Sequence, residues 1–296
     1  MSGTRHQFIK TILFTGLALI AFAANSVLCR LALGESAIDA SSFTIIRLFS
    51  GSLCLLVIIG FSKSKTSPKK KGSWSASFFL FLYAITFSFA YVTLDTGTGA
   101  LILFGSVQIT MILLSVFSGN RLHTSEWIGI MVAFIGFVYL VLPGVSTPST
   151  LGFFLMTISG IGWGIYTLKG RSSENPLMDT AYNFIRTLPL VLIMIIITFQ
   201  DATYSFEGIL YAVLSGSVAS GIGYTIWYIA LGGLSITQAA VLQLSVPVIA
   251  ALGGIIFVSE SITNRLILSS IMILGGILLV VIGKYYHNQL KTETSL

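Results

Sequence analysis

Phe43-Thr44-Ile45-Ile46-Arg47-Leu48-Phe49-Ser50 is answered 139 residues later by Tyr182-Asn183-Phe184-Ile185-Arg186-Thr187-Leu188-Pro189, an arginine falling on an arginine inside an apolar run. The same offset carries Glu35 onto Glu174, Arg30 onto Lys169, Ser106-Val107 onto Ser245-Val246 and Gly136 onto Gly275. The chain therefore reads as two homologous halves, 1–143 and 150–296, joined by the uncharged Pro/Ser/Thr stretch Pro143–Thr150. Each half holds five long apolar stretches. An odd number of crossings makes the second half begin on the side where the first one ended, so the halves are inverted, a common construction of secondary transporters.

Composition places this repeat in a membrane. Hydrophobic residues make up 55% of the chain and charged residues 9%, against roughly a quarter charged in ordinary soluble domains. A helix needs about 20 apolar residues to cross a bilayer. Such runs occur near 11–33, 42–61, 74–94, 97–118, 127–142, 151–168, 180–199, 208–230, 236–258 and 266–283. None shows the period-two alternation of a barrel strand, and only helices or closed barrels satisfy the backbone in lipid. The expected fold is an all-α integral membrane protein, with ten transmembrane helices arranged as two inverted five-helix repeats.

Charge sets the orientation. Alternate loops and termini hold twelve of the sixteen lysines and arginines, among them the cluster Lys63, Lys65, Lys69, Lys70 and Lys71. The opposite loops carry Glu35, Asp39, Asp95, Asp201, Glu207 and Glu260. The positive-inside rule then predicts a multi-pass protein of the cell membrane with both termini cytoplasmic. The net charge of +6 is loop charge, so no nucleic-acid partner is expected; the partners are the lipid bilayer and a small-molecule substrate. Arg5, Lys10 and Ala21-Phe22-Ala23 could be a secretory signal, but the segment matches the sixth helix at the same offset. Cys29 and Cys54 both fall within predicted helices and read as packing residues, with no disulfide, metal or cofactor implied.

Thr98-Gly99-Ala100-Leu101-Ile102-Leu103 and Thr237-Gln238-Ala239-Ala240-Val241-Leu242 each open the fourth helix of a half, and Ser245-Val246-Pro247-Val248 and Ser259-Glu260 follow in the second. With the paired arginines, these segments resemble the drug/metabolite transporter superfamily, in its ten-helix EamA-type branch, over nearly the whole chain. The resemblance implies movement of a small metabolite, often outward, by alternating access. One departure is that Arg121 stands where the second half has Glu260, so a role symmetric in two acids is not implied.

Side chains unusual for a membrane interior are the candidates for substrate contact. Ser220, Tyr224 and Tyr228 share one helical face, with Trp227 beside them, and Tyr83, Phe87 and Tyr91 share another. Phenols at that depth are poorly suited to lipid. Asn25 needs a hydrogen-bond partner in mid-membrane, Trp163 lies in the Gly160–Tyr166 segment, and Gln243 precedes Pro247 by four residues, leaving its carbonyl without a helical donor. Asn25, Tyr83, Trp163, Tyr224, Trp227 and Gln243 are thus expected to line one mainly aromatic central pocket, while packing aromatics and a simple proline kink remain open readings. Arg47 and Arg186 are expected to act as gates or anion contacts at opposite ends of the path, with snorkelling or structural ion pairs as the alternative.

The expected activity is secondary transport, as an exporter of a small metabolite such as an amino acid or related compound. A flippase for a lipid-linked intermediate is the second reading. An integral membrane enzyme is the third, and no nucleophile–base pair or metal set in the membrane runs favours it. The acids fall in loops or at helix ends, so neither a proton relay nor a sodium site is evident and the energy source stays open.

Overall fold

The computed structural model describes residues 2–61, 72–117, 124–142, 148–170, 173–234 and 242–293. The lysine cluster at 63–71, Arg121, most of the linker between the halves and the segment 237–241 lie outside them. The described residues are helical, apart from turns and one isolated antiparallel bridge between Ile38 and Tyr204. The helices are α1 (Ser2–Gly34), α2 (Ala40–Phe61), α3 (Trp74–Tyr91), α4 (Thr96–Phe117), α5 (Thr124–Val141) and α6 (Thr150–Gly170). They continue with α7 (Pro176–Ile185), α8 (Leu188–Thr198), α9 (Phe206–Leu214), α10 (Gly223–Leu231), α11 (Val246–Val258) and α12 (Asn264–Glu293). Among the described residues seven helical spans are long and apolar enough to cross a membrane, and three shorter apolar helices accompany them at Glu126–Leu140, Val246–Val258 and Asn264–Val280.

Among the described residues three of the apolar runs are interrupted, the ninth by a turn at Leu244-Ser245 before α11, and the other two departures each have a local cause. Pro189 has no N–H for the Ile185 carbonyl, and the chain breaks between α7 and α8 at Arg186-Thr187, where the Thr187 N–H and hydroxyl both turn back to the Phe184 carbonyl. Between α9 and α10 the residues Ser215–Ile222 form a π-helix. Such insertions concentrate at functional sites. Here the π segment lies against α2: a Cβ on Gly216 would overlap the Arg47 carbonyl and the Ser50 hydroxyl, and one on Gly51 would sit 2.9 Å from the Gly216 carbonyl. Close backbone approach at paired small residues is how helices associate without a hydrophobic drive.

Around this contact the bundle is built from a few recurrent pairings. α1 runs through the middle, packing on α9, the π segment and α10 on one side and on α11 on the other. α6 packs on α3 and α4, α2 on α7 and the π segment, α4 on α11, and α5 with α12. Large apolar side chains such as Phe61, Ile196, Ile197, Phe199 and Ile256 are exposed on the outside, the distribution of a protein whose solvent is lipid. Interior hydroxyls mostly turn back on their own helix, as Thr44 does to Ala40, Ser52 to Leu48 and Ser88 to Ala84. Those that do not are the ones that build the site.

Candidate functional site

Tyr83 of α3 is the node. Its hydroxyl oxygen accepts from Asn25 Nδ2 at 3.0 Å and from Arg47 Nη2 at 2.9 Å, and it shares a hydrogen bond of 3.1 Å with the Tyr224 hydroxyl. Asn25 is tied on its other side, its Oδ1 accepting from the Ser215 hydroxyl at 2.5 Å. The π segment thus delivers Ser215 to α1 and Ser220 to α2, where Ser220 Oγ accepts from Arg47 Nε at 3.3 Å. Arg47 also donates from Nη2 to Tyr224 at 3.0 Å. Its guanidinium carbon lies 4.9 Å from the Phe87 ring centre and 5.1 Å from that of Tyr83. The side chain is 1% exposed, and among the described residues its partners are hydroxyls and ring faces rather than a carboxylate.

Beside this network Phe22, Asn25, Tyr83, Phe87, Leu103, Phe104, Trp163 and Tyr224 line a cavity of about 10 Å³, room for about one water molecule. Trp163 stands between the two phenols, its ring 4.5 Å from Tyr224 and 5.0 Å from Tyr83. The Ser159 hydroxyl, one turn before it on α6, donates to the Tyr83 carbonyl at 3.0 Å and so holds α6 to α3. Of the six residues expected to line a pocket, four are on this wall. Trp227 is buried one layer back, edge-on to Phe22 at 5.6 Å. Gln243 is buried at the turn before α11 and is not among the lining residues. Phe22, Leu103 and Phe104 were not singled out in the sequence, where they are indistinguishable from other apolar residues of their helices. Ser215 was missed as well, although the serine–glycine segment Ser215–Gly221 interrupting an apolar run was a signal for it.

The arginines at matched sequence positions occupy unlike places. Arg47 reaches the centre of the bundle. Arg186 is half-buried at the break between α7 and α8, over the rings of Trp74 at 5.7 Å and Tyr182 at 5.9 Å. The proline break accounts for the difference, since it ends α7 at the arginine while α2 continues unbroken past Arg47.

Both ends of the bundle are fastened by loops. At one, the Arg30 guanidinium meets Glu260 at 3.2 Å and Asp95 at 3.7 Å, and Glu260 also accepts from the backbone N–H and hydroxyl of Thr96. Ser259 takes a left-handed φ of 56° so that Glu260 folds back over α11, and a Cβ on Gly254 would overlap its carboxylate. At the same end Asp39 accepts from the N–H groups of Ser42 and Thr203. Burial alone would raise its pKa, but the hydrogen bonds from Ser42, Thr203 and Ser41 outweigh that and hold the carboxyl below its ordinary value. At the opposite end Asp179 accepts from the Gly72 N–H and the Ser173 hydroxyl, and Asn183 from the Ser73 N–H.

Comparison with known proteins supplies a context. Residues 150–282 match the model of the EamA-like transporter family. The chain is 46% identical over 271 residues to an uncharacterized protein of Pseudomonas aeruginosa, covering 92% of this chain and 94% of that one. It is 28% identical to an uncharacterized transporter of Archaeoglobus fulgidus, over 64% of this chain and 68% of that one. It is 24% identical to a probable amino-acid metabolite efflux pump of Escherichia coli, over 67% and 71% of the two chains. A crystal structure with 18% sequence identity shares the fold, with a TM-score of 0.59 over 90% of this chain and 97% of its own.

Proposed function

We infer, for a chain that belongs to the EamA-like family of the drug/metabolite transporter superfamily, that it is a secondary transporter exporting a small metabolite such as an amino acid or related compound. The family and its named relatives indicate a membrane transporter rather than an enzyme. The observation that carries the finer reading is the cavity at Tyr83, walled by helices from both halves of the chain and closed to about the volume of a water molecule. Bound metabolites need pockets of roughly 300 Å³ or more, so the walls part to admit one, which is the behaviour alternating access requires.

The packing supports two inverted repeats of five crossings. The most extensive pairings have counterparts under exchange of the halves: α1 with α10 matches α6 with α3, and α1 with α11 matches α6 with α4. The loop contacts follow the same exchange, Asp39 holding Thr203 at one end and Asp179 holding Gly72 at the other. On the positive-inside reading the Asp179 end, where Lys169 is exposed, faces the cytoplasm together with both termini, and the Arg30 end faces outward. In this arrangement Asn25, Tyr83, Trp163 and Tyr224 contact the substrate, Trp227 and Gln243 support them from behind, and Arg47 and Arg186 bias the two access states. The reading is tested with purified protein in proteoliposomes, measuring uptake of a labelled panel of amino acids and related solutes beside lipid scrambling. Saturable uptake of a solute without scrambling is expected; scrambling without uptake would favour a lipid flippase.

A further inference from the structure

Two buried hydrogen-bond donors without an acceptor among the described residues stand at the cavity, Trp163 on its wall and Arg47 directly behind the lining phenols of Tyr83 and Tyr224. Arg47 Nη1 and Trp163 Nε1 are both buried, and neither has a hydrogen-bond partner among the described residues. Each is a donor-only group. They flank the same two phenols: Arg47 Nη2 donates to both hydroxyls, and Trp163 stacks against both rings. A buried polar group left unpaired is costly, and a buried guanidinium without a counter-charge more so. Such donors persist where a ligand supplies the acceptors. The rest of the lining is Phe22, Phe87, Leu103, Phe104 and the amide of Asn25, which is already bonded to Tyr83 and Ser215, with no carboxylate among the residues of the wall.

We propose that Arg47 and Trp163 form the docking site for a carboxylate carried on an apolar or aromatic body, and that recognition runs through this acid group rather than through an ammonium. The guanidinium is matched in charge and in planar shape to a carboxylate. The cavity wall supplies no negative charge to reward an amine. In the closed form Arg47 also ties the halves together, donating to Tyr83 of the first half and Tyr224 of the second. A substrate carboxylate competes for the same guanidinium, so its arrival loosens the contact that keeps the cavity shut. The inference rests on the transporter reading, and it names the ligand group that reading leaves open.

The test is binding to the full-length protein in lipid nanodiscs, read by tryptophan fluorescence, with L-phenylalanine, its amide, 3-phenylpropionate and phenethylamine as probes. Both acids are expected to bind, and the amide and amine to bind about tenfold or more weakly, the loss that follows when a charged hydrogen-bond partner is removed. Arg47→Gln is expected to erase that preference and Arg47→Lys to keep it at lower affinity. Trp163→Phe keeps an aromatic ring, so it should weaken the acids by a few fold and leave the amide unchanged; it serves as the check if Arg47→Gln does not fold. The proposal is overturned if neither acid gives a saturable response, if amide or amine binds as tightly as the acids, or if a folded Arg47→Gln protein keeps the preference. Proteoliposome uptake confined to solutes without an acid group would overturn it and leave the transporter reading standing. Lipid scrambling with no solute uptake would overturn both.

Discussion

Arg47 and Arg186 lie 139 residues apart in matching stretches of sequence, yet one is sealed in the centre of the bundle and the other lies half-buried at a helix break. Their neighbours show what separates them. Around Arg47 the helix is continuous, a glycine at 216 admits the π segment against its backbone, and Ser220, Tyr83 and Tyr224 satisfy three of its hydrogen bonds. Around Arg186 the proline at 189 ends the helix, and Trp74 and Tyr182 offer ring faces near the Gly72 loop. A repeated residue keeps its role only while the backbone beneath it keeps its course. Similar stretches of sequence can therefore hold a charge at the centre of the bundle in one place and at a peripheral break in the other.

The sharpest way to break the comparison is to remove both charges in turn. Arg47 has no carboxylate partner among the described residues, so its removal leaves no opposite charge stranded, and the Tyr83–Tyr224 hydrogen bond stays in place; Arg47→Met is expected to keep the thermal unfolding midpoint in detergent within a few degrees. It should nonetheless cut transport in proteoliposomes about tenfold or more. Arg186→Met should cost roughly threefold or less, because a half-exposed charge near aromatic faces contributes modestly. The two variants should also shift the accessibility of a cysteine placed in the cavity toward opposite faces of the membrane. Equal losses and equal shifts would mean that the arginines are equivalent after all.

A smaller effect should follow from loosening one end. Glu260→Gln removes the nearer of the two ionic partners of Arg30, leaving Asp95, and keeps an acceptor for Thr96. Labelling of a cysteine at Thr98 from the Arg30 end should rise a few fold, and transport should change by less than that of Arg47→Met. The ion pair is partly exposed, so the shift should shrink as salt is raised. Unchanged labelling would make the cluster a packing contact instead of a closure.

The smallest effect concerns Asp39. Its folded pKa lies below the ordinary value, so the stability it contributes is fully present above the unfolded value of about 3.9 and is lost as pH falls through the folded one. Asp39→Asn should lower the unfolding midpoint at pH 7 by a few degrees or less, and the gap to wild type should close as pH falls below about 4. A gap that is independent of pH would assign the stabilisation to backbone geometry rather than to the carboxylate.

Hydropathy and residue order alone were enough to establish an all-helical chain built to lie in lipid and a member of a transporter family, because run length and the match of short segments are local properties. Asn25, Tyr83, Trp163 and Tyr224 could be picked out because polar and aromatic side chains are conspicuous in an apolar run. Only the tertiary structure decided which atoms meet. Tyr83 gathers groups 36, 58 and 141 residues away, and no pattern within a helix reports on contacts across such separations. The π segment and the break at Arg186 left marks in the sequence, the Ser/Gly stretch at 215–221 and Pro189, but not the course that the backbone takes there. Each redirects side chains, and where these land depends on what packs against the backbone: Gly216 under the Arg47 carbonyl in one case, the rings of Trp74 and Tyr182 beside Arg186 in the other.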